Sequence, residues 1–579
     1  MARAISPGWG HATALLHRTT QRLASVDILL ALALVGFIVG VQRLDAEWSA
    51  PARAAVEINL SPWALPKYTL LSLSRGLLAY TLSLGFTLVY GFWAAKSALA
   101  ERVLIPLLDV LQSIPVLGFM PGLVLAMVAA FPRSNTGLEL AAVIMIFTGQ
   151  AWNMTFSFYH SLRSVPNDQR EVATAYHFTW WKRLVWVELP FSTIGLVWNS
   201  MMSMAGGWFF LMVSEAFVLG DKDFRLPGLG SYMSVAVSRG DGAAMGWAVL
   251  AMALMIVILD QLLWRPVVVW AQKFRVEEGG QDTADRSWVL DLLRRSRLLK
   301  AAGGALGRAF ASKKPRPRVQ AEPGAPPAKR VSGALSAALF FGLVLAMGLG
   351  MVRLALVLRG VGATAWLRLI GAGLTTLGRV LASTAIGTMW ALPAGLGIGL
   401  SPRLSRALQP VVQVVASFPA PMLFPLVIAL LKGAGVPLGW GSIVLMLLGT
   451  QWYILFNVIA GASAIPSDLR EAARMYRLGT YARFRGLYLP AVFPHLVTGW
   501  VTAAGGAWNA SIVSEFVTVK GHALVTWGLG AQISEAASSA DFPRLAASVV
   551  AMSVLVVAFN RLAWRPLNHL AETRFSLSK

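Results

Sequence analysis

Pro166-Asn-Asp-Gln-Arg-Glu-Val-Ala-Thr-Ala-Tyr176, continued by Trp180-Trp-Lys-Arg183 and closed by Glu188-Leu-Pro190, returns 300 positions later in the chain. The second copy runs Pro466-Ser-Asp-Leu-Arg-Glu-Ala-Ala-Arg-Met-Tyr476 and closes on Tyr488-Leu-Pro490. Asp168, Arg170, Glu171, Ala173, Tyr176, Leu189 and Pro190 recur as Asp468, Arg470, Glu471, Ala473, Tyr476, Leu489 and Pro490. Each copy is a polar, helix-prone island between long apolar stretches. A polar helix kept twice in such surroundings is placed to meet something in water.

The surroundings are those of a membrane protein. Only 13% of the 579 residues are charged and 56% are hydrophobic, against about a quarter charged in ordinary soluble domains. Apolar runs of about 20 residues, the length that crosses a bilayer, recur throughout. The net charge of +23 sits in short links and one central linker, where lipid headgroups and topology account for it. Nucleic acid is therefore not an expected partner. The absence of cysteine excludes disulfides and thiolate metal sites.

Expected spans in the first half are about 26–43, 68–95, 103–130, 138–160, 189–219 and 244–268. Those in the second half are about 333–357, 371–400, 407–431, 438–461, 489–518 and 543–563. The fold class is thus all-α integral membrane, about twelve spans as two six-helix repeats. An even number of spans per repeat makes the copies parallel. The run from Ile28 to Val41 is read as a retained first span, since a signal peptide has a shorter leader. Residues 1–271 form the first repeat, 272–331 a basic linker and 332–579 the second repeat. The linker combines a Leu-rich stretch, Arg286 to Lys300, with a Pro-rich one, Lys313 to Arg330; it is a tether or a regulatory arm. Lys and Arg gather in the links on one side, with both termini and both polar islands, and that side is assigned to the cytoplasm.

The duplication extends further. Trp152 matches Trp452, Gly206 matches Gly506, and Trp208 matches Trp508. Ser214-Glu215 matches Ser514-Glu515, and Gly228-Leu-Gly230 matches Gly528-Leu-Gly530. Near the start of each half the offset becomes 304, pairing Arg75 with Arg379 and Pro115 with Pro419.

Glu471-Ala472-Ala473 followed by Leu489-Pro490, and Glu171-Val-Ala173 followed by Leu189-Pro190, resemble the signature loop of ATP-binding-cassette importer permeases. Ile114-Pro115, Phe418-Pro419 and each Glu followed by Gly-Leu-Gly resemble the nitrate/sulfonate/taurine branch. The likeness covers about five spans of each half and is that of a fused, duplicated permease for an anion. It departs where the family has Gly six residues after the Glu; here stand His177 and Arg477.

The resemblance implies two separate ATPase subunits that carry ATP and Mg, docked on the two loops, and a periplasmic binding protein. It places the chain in a bacterial inner membrane. No Gly-x-x-x-x-Gly-Lys-Ser/Thr loop occurs in the sequence, so the chain is not itself expected to be an enzyme or to hold a cofactor. The coupling residues so implied are Asp168, Glu171, Ala173, Tyr176 and Pro190, and Asp468, Glu471, Ala472, Ala473, Tyr476 and Pro490. Asp168 or Ser467 would cap the helix start. Ala173 and Ala473 would allow a partner's close approach, and Pro190 and Pro490 would begin the next span.

Candidates for the translocation path are Arg75, Trp208, Ser214, Glu215, Arg379, Trp508, Asn509, Ser514 and Glu515. Arg75 and Arg379 lie roughly 12 Å into their spans, either facing a pore and attracting an anion or snorkelling to headgroups. Glu215 lies roughly 37 Å beyond Pro190 at helical rise, as a gate or as a helix-end carboxylate. Trp208 and Trp508 line the pore or belong to an interfacial belt. The alternative function is an ion-coupled secondary transporter of the major facilitator type.

Overall fold

The computed structural model describes Trp48, residues 56–219, 222–274, Ser287, 289–291, 331–519 and 522–575. The expected first span at 26–43 and nearly all of the linker lie outside the described residues. The chain divides into two compact units, one of Met1–Glu47 with Ile258–Leu343 and one of Trp48–Val257 with Val344–Lys579. The second unit holds both polar islands and most of both repeats.

Helices in the first repeat are α1 (Leu65–Lys96), α2 (Ala98–Ser113), α3 (Val116–Ala130), α4 (Thr136–Arg163), α5 (Asn167–Ala175), α6 (Trp180–Glu215), α7 (Leu229–Arg239) and α8 (Gly242–Leu259). After α9 (Val331–Leu358) the pattern repeats. It continues with α10 (Ala363–Leu400), α11 (Pro402–Ala416), α12 (Phe424–Gly433), α13 (Leu438–Ser463), α14 (Ser467–Met475), α15 (Thr480–Ser514), α16 (Leu529–Ser538) and α17 (Phe542–Arg574). Antiparallel hairpins precede α7 and α16: β1 (Val218–Leu219) pairs with β2 (Lys222–Asp223), and β3 (Phe516–Val519) with β4 (His522–Val525).

In each repeat three long helices form the packed centre: α4 between α1 and α6, and α13 between α10 and α15. The core is closed by small residues. Gly91 lies against Phe158 and Gly149 against Phe210, places a Cβ would occupy at 2.8 and 2.2 Å; interfaces between membrane helices use such residues for close approach. Across the repeats the contacts are reciprocal. Helix α3 packs on α15, and α6 packs on the 3₁₀ turn Ala420–Leu423 that leads into α12.

Among the described residues seven helices are long and apolar enough to cross a membrane, or eight if one bent pair counts as a single span. The expected span at 407–431 is that pair, bent by 78° between Ala416 and Ala420. Its counterpart at 103–130 is also broken, at Ile114-Pro115, where Ile114 is extended with ψ 123°. The cause is in the sequence: proline has no N–H and drives its predecessor out of the helical region. Helix α4 carries Glu139, Gln150 and Asn153 among its apolar residues and is not among the seven.

The fifth spans differ from expectation too. Pro190 and Pro490 do not begin them; α6 and α15 start ten residues earlier, at Trp180 and Thr480. Each proline follows a π-turn, Leu184–Glu188 or Phe484–Tyr488, and the same pairing recurs at Asp260–Trp264 before Pro266 and Asn560–Trp564 before Pro566. The wider turn shifts the hydrogen-bond register, with Leu189 N–H bonding Leu184 O, so the helix passes a residue that cannot donate.

Candidate functional site

Three features of the second unit bear on function. The first is the pair of polar helices α5 and α14. Their N-caps are Pro166 and Pro466, with no side-chain cap, so neither Asp168 nor Ser467 caps the helix as expected. The chain enters helical geometry two residues before Asp168 would cap it and one before Ser467 would, which leaves Asp168 and Asp468 in the first turn, favourable to the helix dipole.

Ala173 and Ala473 are buried against their own chain and so are not open to a partner. Their small size lets the polar helix lie flat on the bundle. Arg170 fixes it there by donating to the carbonyl of Arg163 at 2.9 Å, at the C-terminal end of α4. The outward face carries Glu171, Val172 and Tyr176 in one copy and Glu471, Met475 and Tyr476 in the other, all exposed; Tyr176 and Tyr476 are 74% and 81% accessible. Ala472 is partly buried. Behind the first copy, Glu188 accepts from Lys96 at the end of α1 and pairs with Arg183 at 3.3 Å, tying the loop to the bundle.

The bend after each polar helix is left-handed although glycine is missing: His177 has φ 49° and Arg477 φ 48°. Phe178 N–H bonds Ala173 O at 2.9 Å and Leu478 N–H bonds Ala473 O at 3.1 Å, the pattern that closes a helix through a left-handed residue. The departure from the family pattern therefore changes the residue and keeps the bend. A non-glycine residue costs about 1–2 kcal/mol in this region, while glycine loses about 0.5–1 kcal/mol more in chain entropy. Thus His177→Gly and Arg477→Gly are expected to stabilise the loops slightly, and His177→Val to destabilise its loop by more than 1 kcal/mol. Resistance of the purified chain to proteolytic cutting at these loops reads the sign.

The second feature lies at the other end of α1 and α10. Arg75 is completely buried; its Nε and Nη2 donate to Glu139 of α4 at 2.5 and 2.6 Å. Its Nη1 reaches Glu215 at 2.7 Å and the Pro227 carbonyl at 2.8 Å. Glu215 also accepts from Ser72 Oγ at 2.7 Å and Gly230 N–H at 2.8 Å. Gly228 presses on this carboxylate, where a Cβ would stand 2.3 Å away.

The second repeat builds the same clasp from Arg379, Thr376, Glu515 and Gly530, with Arg379 Nη1 2.8 Å from Glu515. It lacks one part. Gly439 stands 300 positions after Glu139, and Arg379 Nη2 instead donates to Thr526 Oγ1 at 3.1 Å. Ser214 and Ser514 are buried beside the two clasps, and Ser214 donates to Leu211 O at 3.0 Å. Arg75 and Arg379 thus serve as internal ion-pair partners. Glu215 pairs locally.

The third feature is a cavity of about 320 Å³ between the repeats. It is lined by Trp152, Trp452, Trp508 and Trp564, by amide and hydroxyl residues including Asn153, Tyr453 and Asn509, and by no charged residue among those described. Trp508 and Asn509 of the expected path residues line it. Trp208, buried against Gly76 of α1, does not, nor do Arg75, Ser214, Glu215, Arg379, Ser514 or Glu515. Asn509 joins the repeats: its Oδ1 accepts from Val116 N–H at 2.8 Å, at the first turn of α3 beyond the proline break.

Sequence reading missed Glu139, Asn153 and Tyr453. A lone acid in an apolar run marks Glu139, but nothing in the spacing joins it to Arg75.

Comparison with known proteins fits this duplication. Residues 87–263 and 383–564, together more than half of the chain, each match the family described as binding-protein-dependent transport system inner membrane component. A nitrate import permease protein of Leptolyngbya laminosa is 29% identical over 142 residues, 24% of this chain and 50% of the relative. A bicarbonate transport system permease protein of Synechocystis sp. is 28% identical over 144 residues, 25% of this chain and 50% of the relative. A glycine betaine/carnitine transport permease protein of Listeria monocytogenes is 29% identical over 217 residues, 35% of this chain and 66% of the relative. The chain spans about half the length of the nitrate and bicarbonate relatives it matches. A major facilitator transporter finds no support here. With the family's domain present twice, the chain belongs to the inner-membrane permease components of binding-protein-dependent ATP-binding-cassette importers.

Proposed function

We propose that this chain forms the whole translocation path of an ATP-driven importer for a small solute, in the class of the anions nitrate, bicarbonate, sulfonate and taurine. Two separate ATPase subunits, carrying ATP and Mg, dock on α5 and α14, and a periplasmic binding protein delivers the solute to the opposite face. The chain lies in a bacterial inner membrane with both termini in the cytoplasm. Its two parallel repeats, 1–271 and 332–579, contribute six spans each, and the linker at 272–331 tethers them.

The observation that carries this reading is the repeated polar helix. Both copies turn a carboxylate and a tyrosine outward and bury an alanine on the inner face. Exposed apolar side chains beside a fixed charge are what a docking helix needs. Coupling is then assigned to Asp168, Glu171, Tyr176, Asp468, Glu471 and Tyr476 as the outward surface. Ala173, Ala472, Ala473, Pro190 and Pro490 set the pose of the helices.

The natural absence of cysteine gives a clean test. With Tyr176→Cys or Tyr476→Cys, a membrane-impermeant maleimide is expected to label only from the cytoplasmic side, and less when the ATPase is bound. Labelling of intact cells from outside contradicts the orientation and the docking together.

A further inference from the structure

The two polar loops share a pattern but differ in charge. Residues 166–188 hold three cations and three carboxylates, whereas 466–488 hold five cations and two carboxylates. Around the first loop the basic residues are turned inward. Lys96 and Arg183 pair with Glu188, Arg163 pairs with Glu101 at 3.5 Å, and Arg170 donates to backbone carbonyls of α4. The second repeat lacks those inner carboxylates: Tyr488 stands in the place of Glu188 and Ser405 in that of Glu101.

Its cations lie on the outer surface instead. Arg474 and Arg477 stand where the first loop has Thr174 and His177. Both are exposed, and neither side chain makes a hydrogen bond or ion pair among the described residues. Arg474 lies one turn beyond Glu471, so the two share a helix face. Met475 and Tyr476 beside them are 84% and 81% exposed. A headgroup layer of one sign cannot answer such a mixed face, since Asp468 and Glu471 would be repelled where the arginines are drawn in. A protein surface can set an opposite charge against each.

The acid at 168 and 468, the acid at 171 and 471 and the tyrosine at 176 and 476 are common to both loops, so both fit one kind of cleft. Resting on the permease reading above, we infer that the second loop is the tighter of the two ATPase docks. Arg474 and Arg477 meet an acidic rim on the docking cleft that Thr174 and His177 leave unanswered. The ATPase pair is therefore held unequally: by charge at α14, and by the shared contacts alone at α5.

The test is the affinity of the ATPase that co-purifies with the wild-type chain for the full-length chain in lipid nanodiscs. It is run at about pH 8, where histidine is neutral. An exposed pair of opposite charges changes affinity by up to about fivefold. Arg474→Thr and Arg477→His each install the first loop's residue and are expected to weaken binding about threefold to fivefold apiece. His177 already holds the left-handed bend with φ 49°, against 48° at Arg477, so Arg477→His keeps the backbone. Thr174→Arg is expected to strengthen binding by a similar factor. All three differences should vanish near 1 M salt, where the screening length is about 3 Å. The effect of Arg474→Thr is expected to be the same in phosphatidylcholine nanodiscs with and without phosphatidylglycerol.

Unchanged affinity in both arginine variants, no gain from Thr174→Arg, differences that persist at high salt, or an effect confined to the anionic nanodiscs overturns the inference. The permease reading survives each of these results while Glu171→Lys with Glu471→Lys still releases the ATPase, so the two failures are distinguishable.

Discussion

Replacing Arg75 by methionine is expected to cost the folded chain about 3–5 kcal/mol or more, the usual penalty for breaking a buried ion pair from one side. Arg75 stands between two carboxylates, and it, Glu139 and Glu215 are at most 1% exposed. Removing the arginine leaves two buried anions facing each other, which is worse than losing either acid. Arg379→Met is expected to cost less. That residue is 12% exposed and, among the described residues, pairs with a single carboxylate, Glu515, because Gly439 occupies the place of the second acid.

The order R75M worse than R379M follows from charge count and exposure and does not require the two clasps to differ in function. Adding Glu139→Gln to R75M is expected to return part of the loss, since it removes one of the stranded charges. Thermal unfolding of the purified chain, followed alongside its yield in the membrane, measures all of these. Equal destabilisation by R75M and R379M would mean that the Glu139 contact contributes little.

The repeat, the polar helices and the proline landmarks were legible because they are one-dimensional: matched residues at a fixed offset need no tertiary knowledge. The clasp was only half legible. Arg75 and Glu215 each stood out as charges in apolar sequence, but 140 residues separate them, and spacing at that range says nothing about contact. An arginine read alone looks available to an anion; beside Glu139 and Glu215 it is already satisfied.

The prolines misled for a different reason. Pro190 and Pro490 carry an ordinary helix-start signal, whereas a π-turn has no residue signature that announces it. At His177 and Arg477 the missing glycine pointed to altered geometry, yet the closing hydrogen bonds hold both in the left-handed region. Ala173 and Ala473 were rightly singled out as places of close approach, but what approaches is this chain's own bundle.

The cavity was the least legible part. Its polar residues are those at which the two repeats disagree, so a search for matched positions passes over Asn153, Tyr453 and Phe209. Asn509 stood among the expected path residues, and its bond to Val116 gives it a structural role as well: it satisfies one donor of a helix that begins at a proline break.

Reversing the charge of both coupling helices, with Glu171→Lys and Glu471→Lys, is expected to have the largest functional effect. Both carboxylates are exposed and make no ion pair within the described residues, so the folded chain has little to lose from their replacement. At an interface the same reversal places like charges where opposite ones meet, a change worth several kcal/mol. Since 1.4 kcal/mol is a factor of ten, retention of the ATPase should fall by more than a hundredfold in affinity, with membrane insertion unchanged.

The decisive measurement is solute uptake into vesicles holding the full chain with its ATPase, wild type beside the double variant, with ATP supplied or with an ion gradient alone. ATP-dependent uptake by the wild type, none on the gradient alone and none by the double variant is the predicted result. Uptake sustained by the gradient without nucleotide, or ATP-driven uptake undiminished in the double variant, would contradict the account.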